Sequence, residues 1–376
     1  MAWKASGGVS CVAKSAKYLL IGSIEPYSGK SAVALGLADR LKKRGFDVAY
    51  GKPLGTDVDG DPDQRLDADF QFIAQTLGLS PDHLRSPVLM LDEATIDRHL
   101  HHPDSEGYHR ALADYRQQTG GDCVLLEGPG TLQEGSLFDL SIIRIAEVLD
   151  AAVMLVVRFD SGRFLDELIS ARERLGDRLV GIAINDLTPE QLETIQTQVK
   201  PFLETNGIPV LGLLPRHPLL RSVTVGELVR QLDAQVACGR ERFDLMVESL
   251  SVGAMNVSSA MKYFSRSHNM AVVTGGDRRD IQMAALEQST HCLILTGQLP
   301  PDPMVIARAE ELEIPILCAD LDTLTTVEII DRAFGRVRLH EASKVECIVQ
   351  IMAEHFDLSR LLEMTGWEAI ASANLT

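Results

Sequence analysis

The sequence predicts an α/β protein: a parallel sheet covered by helices on both faces, followed by a second, smaller α/β unit. Three observations carry this expectation. Up to Pro215, short continuous apolar runs alternate with amphipathic stretches, the pattern of strands buried on both faces and joined by crossover helices. The pattern then breaks at Leu214-Pro215-Arg216-His217-Pro218, where the two prolines interrupt regular structure and mark a boundary. Beyond the boundary the alternation resumes over a shorter span.

The expected strands of the first unit are Tyr18–Ile21, Asp47–Tyr50, Cys123–Glu127, Ala152–Val157, Leu179–Ile184 and Val210–Leu214, with helical periodicity over Ser31–Arg44 and Asp166–Leu175. In the second unit, helices are expected at Val225–Leu232, Val257–Phe264, Arg279–Leu286 and Met304–Leu312, and strands at Met270–Val273, Cys292–Leu295 and Ile316–Cys318. Glu341–His355 reads as one more helix, and the last residues are weakly patterned. The expected organisation is a flexible leader over 1–16, a first domain over 17–215, a second over 219–335, and a C-terminal helix and tail over 336–376.

Composition excludes several function classes. The formal net charge of -17 repels phosphate backbones and anionic lipid, so bulk binding to nucleic acid or to a membrane surface is not expected. No apolar run approaches the roughly 20 residues that span a bilayer, and the N-terminal stretch lacks the apolar core of a signal peptide. The six cysteines are scattered without a C-x-x-C pair. They read as buried free thiols in a reducing, cytoplasmic setting.

The residues that carry chemistry begin at the first strand. Tyr18–Ile21 runs into Gly22-Ser23-Ile24-Glu25-Pro26-Tyr27-Ser28-Gly29-Lys30-Ser31, and a helix follows. Strand, loop, Gly-Lys-Ser and helix together form the context of a P-loop: backbone N–H groups and the helix N-terminus cradle phosphates, Lys30 neutralises the β/γ oxygens, and the Ser31 hydroxyl ligates Mg²⁺. The loop departs from the usual spacing, with Ile24 in place of the first glycine and Glu25 inside an anion site. Lys52, in Gly51-Lys52-Pro53, ends the second strand; it is a phosphate-facing ammonium or a solvated strand-end lysine. Glu127 ends an apolar strand before Gly128-Pro129-Gly130; it is a Mg²⁺ ligand or a turn-capping carboxylate. Asn185 ends a later strand; it reads a base edge or closes an Asx-turn.

In order, these landmarks resemble the dethiobiotin synthetase branch of P-loop proteins: Ser28-Gly29-Lys30-Ser31, Lys52-Pro53, Asp69, Glu127-Gly128, Ile184-Asn185 and Leu211-Gly212-Leu213-Leu214-Pro215. The resemblance implies that Ser31, Asp69 and Glu127 hold Mg²⁺ and that Asn185 touches the purine of ATP. The form Glu25-Pro26-Tyr27-Ser28-Gly29-Lys30-Ser31 is more similar still to the N-terminal region of long bacterial phosphotransacetylases. The second unit resembles the DRTGG domain that follows in those proteins, through Val252-Gly253-Ala254-Met255, Val273-Thr274-Gly275-Gly276-Asp277-Arg278-Arg279-Asp280-Ile281 and Leu295-Thr296-Gly297. Thr274–Arg278 reads as a tight turn with Asp277 as N-cap, a dimer interface, or a second ligand site.

Long phosphotransacetylases carry a catalytic domain after these two. The present 376 residues stop short of one, so acetyl transfer is not expected. The resulting expectation is a regulatory or scaffold protein that binds ATP and Mg²⁺ through its P-loop NTPase domain. Its nucleotide state would be coupled to a DRTGG-like unit acting in homodimerisation, in higher homo-oligomers or toward a protein partner. The alternative is an ATP-dependent ligase of dethiobiotin-synthetase type acting on a small amine or carboxylate, with Lys30 and Lys52 catalytic; any enzyme activity would be that or a slow ATPase. Two other patterns are set aside. The acidic run Asp57–Asp63 has its glycine and proline misplaced for a calcium loop, and His99, His101, His102 and His109 lack zinc-site spacing.

Overall fold

The computed structural model describes residues 16–56, 67–101, 106–118, 120–159, 162–335, 339 and 341–373. The N-terminal leader up to residue 15, Cys11, the acidic run Asp57–Asp63 and His102 lie outside the described residues. The chain divides into two compact units, one formed by residues up to Arg216 together with Leu339 onward, the other by His217–Arg338.

The first unit is built on a seven-stranded sheet of β1 (Tyr18–Gly22), β2 (Val48–Gly51), β3 (Leu84–Arg85), β4 (Cys123–Glu127), β5 (Ala152–Arg158), β6 (Leu179–Leu187) and β7 (Val210–Pro215), in the order β3-β2-β4-β1-β5-β6-β7. All its pairings are parallel. The central strands carry no polar interruption because both their faces are covered: Leu20, Val124, Leu126, Val153 and Leu155 join Ile142, Ile145, Leu149 and Leu168 in one core. Helix α1 (Lys30–Lys43) packs against β1, β2 and β4 without entering that core, and so covers the opposite face. Adjacent strands β1 and β4 therefore send the chain to opposite faces, which opens a crevice at their carboxyl ends. In parallel sheets this is where ligands collect.

The C-terminal segment returns to this unit. Helix Ala342–His355 packs along α1 and against β7, and helix Leu358–Thr365 packs on β6 and β7. Contact with α1 is close at Gly36, where a Cβ would stand 2.6 Å from Met352 Cγ. The Arg40 guanidinium donates to the carbonyls of Met352 and Phe356, both at 2.7 Å. Trp367 is fully buried and its indole N–H donates to the Ala16 carbonyl at the start of the described chain. The residues read as a weakly patterned tail thus form helices Leu358–Thr365 and Glu368–Ala373.

The second unit holds a mixed five-stranded sheet of β8 (Gln235–Cys238), β9 (Ser249–Val252), β10 (Met270–Gly275), β11 (Thr290–Thr296) and β12 (Ile316–Ala319), in the order β8-β12-β11-β10-β9. Only β8 is antiparallel. Alternate residues of β10 and β11 feed two cores. Met270, Val272, Leu293 and Leu295 meet helices Val257–Phe264, Arg279–Leu286 and Pro303–Glu311; Ala271, Val273, Cys292 and Ile294 meet Val225–Leu232 and Thr323–Gly335. The first helix residue after Thr274-Gly275-Gly276 is Arg279, with Arg278 and not Asp277 at the cap position. Arg278 donates to the Met255 carbonyl at 2.8 Å and pairs with Asp280. Cys123, Cys238, Cys292, Cys318 and Cys347 are free thiols. Among the described residues no helix is long and apolar enough to cross a membrane.

The close approach at Gly36 makes a test of the helical return. Gly36→Val should lower the unfolding free energy by about 1–3 kcal/mol, the usual cost of overpacking, measured by urea denaturation.

Candidate functional site

The loop between β1 and α1 enters the crevice described above. Gly29 has φ 95° and a Cβ there would collide with the Asn185 amide, so glycine is required twice over, by backbone and by space. Tyr27, 57% exposed at the loop tip, has φ 55°, a conformation that costs a bulky residue about 1–3 kcal/mol and marks functional loops. Two side chains from matched positions on β5 and β6 hold the loop. Arg158 and Asn185 are register partners. The Asn185 amide donates to the Ser28 carbonyl at 2.9 Å. Glu25 accepts the Arg158 backbone N–H at 2.8 Å and its guanidinium at 3.1 Å. The carboxylate that looked out of place in an anion loop is therefore neutralised by β5, and Arg158 is a site residue that sequence reading missed.

Below the loop lies a network of buried charges. Glu127, 3% exposed, accepts the Ser31 hydroxyl at 2.9 Å and the Tyr50 hydroxyl at 3.0 Å. Burial, reinforced by Glu127, pushes the Tyr50 phenol well above its ordinary pKa and keeps it a donor. The Lys52 ammonium lies 2.7 Å from Asp67 and 3.9 Å from Glu127. Burial acts to lower its pKa, but Glu127, Asp67 and Asp69 together outweigh burial and hold it above the ordinary lysine range. Lys52 is thus a fixed positive charge and not a solvated strand-end lysine.

Helix α2 (Ala68–Thr76) explains the position of Asp67. Its carboxylate caps the helix by accepting the Phe70 N–H at 3.0 Å, and it also accepts the Thr56 N–H at 3.2 Å. The residue is fully buried. Asp69, on the first turn of the same helix, is half-buried and its charge reaches both Tyr50 and Lys52. Sequence reading named Asp69 as a Mg²⁺ ligand and did not single out Asp67, which pairs with Lys52 and whose signal was the N-cap position.

Lys30 differs from Lys52. It is buried at the start of α1, and among the described residues it forms no ion pair. Burial lowers its pKa, Glu127 partly restores it, and Lys52 lowers it further. Ser28 Oγ, in the same loop, is buried without a hydrogen-bond partner among the described residues. The crevice therefore gathers Lys30, Lys52, Ser28, Ser31, Glu127 and Asn185. The groups beside it suit a Mg²⁺ ion as well as phosphate: a hydroxyl and a carboxylate 2.9 Å apart are hard oxygen donors of the kind that share the ion with phosphate oxygens and water.

A family model described as an AAA domain matches residues 17–224, more than half of the chain. The chain belongs to this AAA-domain family. A DRTGG domain model matches residues 227–333, spanning the second sheet. Curated relatives include the phosphate acetyltransferases of Synechocystis sp., 26% identical over 92% of this chain and 51% of that protein, and of Nitratidesulfovibrio vulgaris, 27% identical over 91% and 51%. The chain spans about half the length of these relatives. Among solved structures, the MinD cell division protein of Aquifex aeolicus is similar at 16% identity and a TM-score of 0.36, over 55% of this chain and 84% of that one.

The Lys52–Asp67 pair gives a stability test for this AAA domain. Asp67→Ala leaves a buried ammonium short of its partner and should cost about 3–5 kcal/mol in urea unfolding. Replacing both residues, Lys52→Met with Asp67→Leu, should recover part of that loss, because no buried charge is then stranded.

Proposed function

We propose that the chain is a nucleotide-binding regulatory module that takes ATP with Mg²⁺ at the loop Ser28–Ser31 and couples its occupancy to the DRTGG domain. The observation that carries this reading is Lys30: a buried ammonium without an ion pair among the described residues, at a helix N-terminus, in a glycine loop. Such a charge is costly to bury alone. An anion seated on the loop relieves that cost and raises the depressed pKa. Lys52, held charged by its carboxylates, supplies a second positive charge toward the phosphates. Ser31 and Glu127, with Asp69 nearby, would hold Mg²⁺, which when bound neutralises phosphate charge between them.

Asn185 would also meet the purine: with one amide hydrogen donated to the Ser28 carbonyl, it keeps its second amide hydrogen and its oxygen for a base edge. The AAA and DRTGG matches support a regulatory reading of the pair of domains. In that reading the second unit mediates self-association or meets a protein partner.

Calorimetric titration tests the site. MgATP should bind wild type in the micromolar range and Lys30→Ala at least tenfold more weakly. Equal binding by the two proteins removes the reading. Coupling is tested by sedimentation or pull-down with and without MgATP; a nucleotide-independent outcome leaves a binding domain without regulation. The protonated form of Lys30 is the one that binds phosphate. Because its pKa is lowered, affinity should fall with rising pH sooner than for an ordinary lysine, and Lys30→Arg should flatten that dependence.

A further inference from the structure

The loop that follows β4 brings one more acid to the crevice. Residues Gly128–Gly130 leave the carboxyl end of β4 directly after Glu127. Four residues further on, the Glu134 carboxylate turns back and accepts the Gly130 backbone N–H. The turn is internally fixed: the Glu134 N–H donates to Thr131 Oγ1 at 3.1 Å, and Gly135 follows at φ 84°, where a Cβ would meet the Leu140 carbonyl at 2.7 Å. Gly130 faces the phosphate loop, since a Cβ on it would stand 3.6 Å from Pro26 Cβ and 2.7 Å from Glu134 Oε2. Glu134 is half-buried, and its charge reaches Lys30.

A carboxylate thus sits on a backbone N–H at the edge of the phosphate loop, within the field of the lysine that neutralises terminal phosphates. A loop of this kind and its lysine cradle the β- and γ-phosphates, and Gly130 stands beside that loop at Pro26. We propose that Glu134 occupies the subsite of the terminal phosphate and sets how the site discriminates between nucleoside di- and triphosphates. A diphosphate binds with Glu134 in place. A triphosphate must displace its carboxylate from Gly130, against the repulsion of two anions in a partly buried site, and then takes over the Gly130 N–H. This rests on the nucleotide reading above and adds a specificity-determining residue to it.

The test is titration of MgATP and MgADP into wild type and Glu134→Gln, with Glu134→Ala as a second variant and thermal melts to verify folding. Glutamine keeps the hydrogen bond to Gly130 and removes the charge. Glu134→Gln should bind MgATP about tenfold more tightly, with MgADP affinity unchanged within about twofold. Binding of MgATP by the variant alone supports the same conclusion. Equal shifts for both nucleotides, weaker MgATP binding, or no change in their ratio overturns it. If neither nucleotide binds any of these proteins, the nucleotide reading itself fails, which is a distinct result.

Discussion

Glu127 ends an otherwise apolar strand with its carboxylate buried, and a buried anion must be satisfied by several donors or lose its charge. Its partners come from three other places in the chain: Ser31 at the start of α1, Tyr50 in β2 and Lys52 just after it. Lys52 in turn requires Asp67, and Asp67 is also the cap of α2. One buried charge therefore fixes the relative positions of the phosphate loop, the second strand and the second helix. The arrangement is a scaffold and a binding surface at once, because the groups that satisfy Glu127 are the ones that face the crevice.

Much of this was legible in the sequence, for identifiable reasons. Strands covered on both faces leave long apolar runs, and β1, β4 and β5 were bounded to within a residue. In the second unit the helices Val225–Leu232, Val257–Phe264 and Arg279–Leu286 lie where their periodicity placed them. Gly29, Lys30 and Ser31 were recognisable because their chemistry is local: a turn, a charge and a hydroxyl in consecutive positions.

What escaped is what depends on distant partners or on weak patterns. Glu25 looked anomalous because Arg158, which neutralises it, lies on another strand. Asn185 fitted either a turn or a base contact by sequence, and the structure gives its amide to the phosphate loop. Glu134 and Asp67 are ordinary loop acids until the fold aims them. Edge strands were hard for a different reason. Gln235–Cys238 alternates exposed and covered positions over only four residues, and Leu84–Arg85 is shorter still. In the C-terminal segment, Leu358, Leu361, Leu362 and Thr365 form a helical stripe that packs on β6 and β7, but a stripe of eight residues is a short signal at the end of a chain.

That helical return has a consequence for how the molecule is made. The helices that cover α1 are encoded after the whole DRTGG domain. On the ribosome, the seven-stranded sheet emerges with one side of its crossover layer bare, and the second domain is synthesised before the cover arrives. The nascent AAA domain must therefore wait, partly unclothed, through the translation of an entire neighbour. A chaperone that shields apolar surface has its longest opportunity on this chain during that interval.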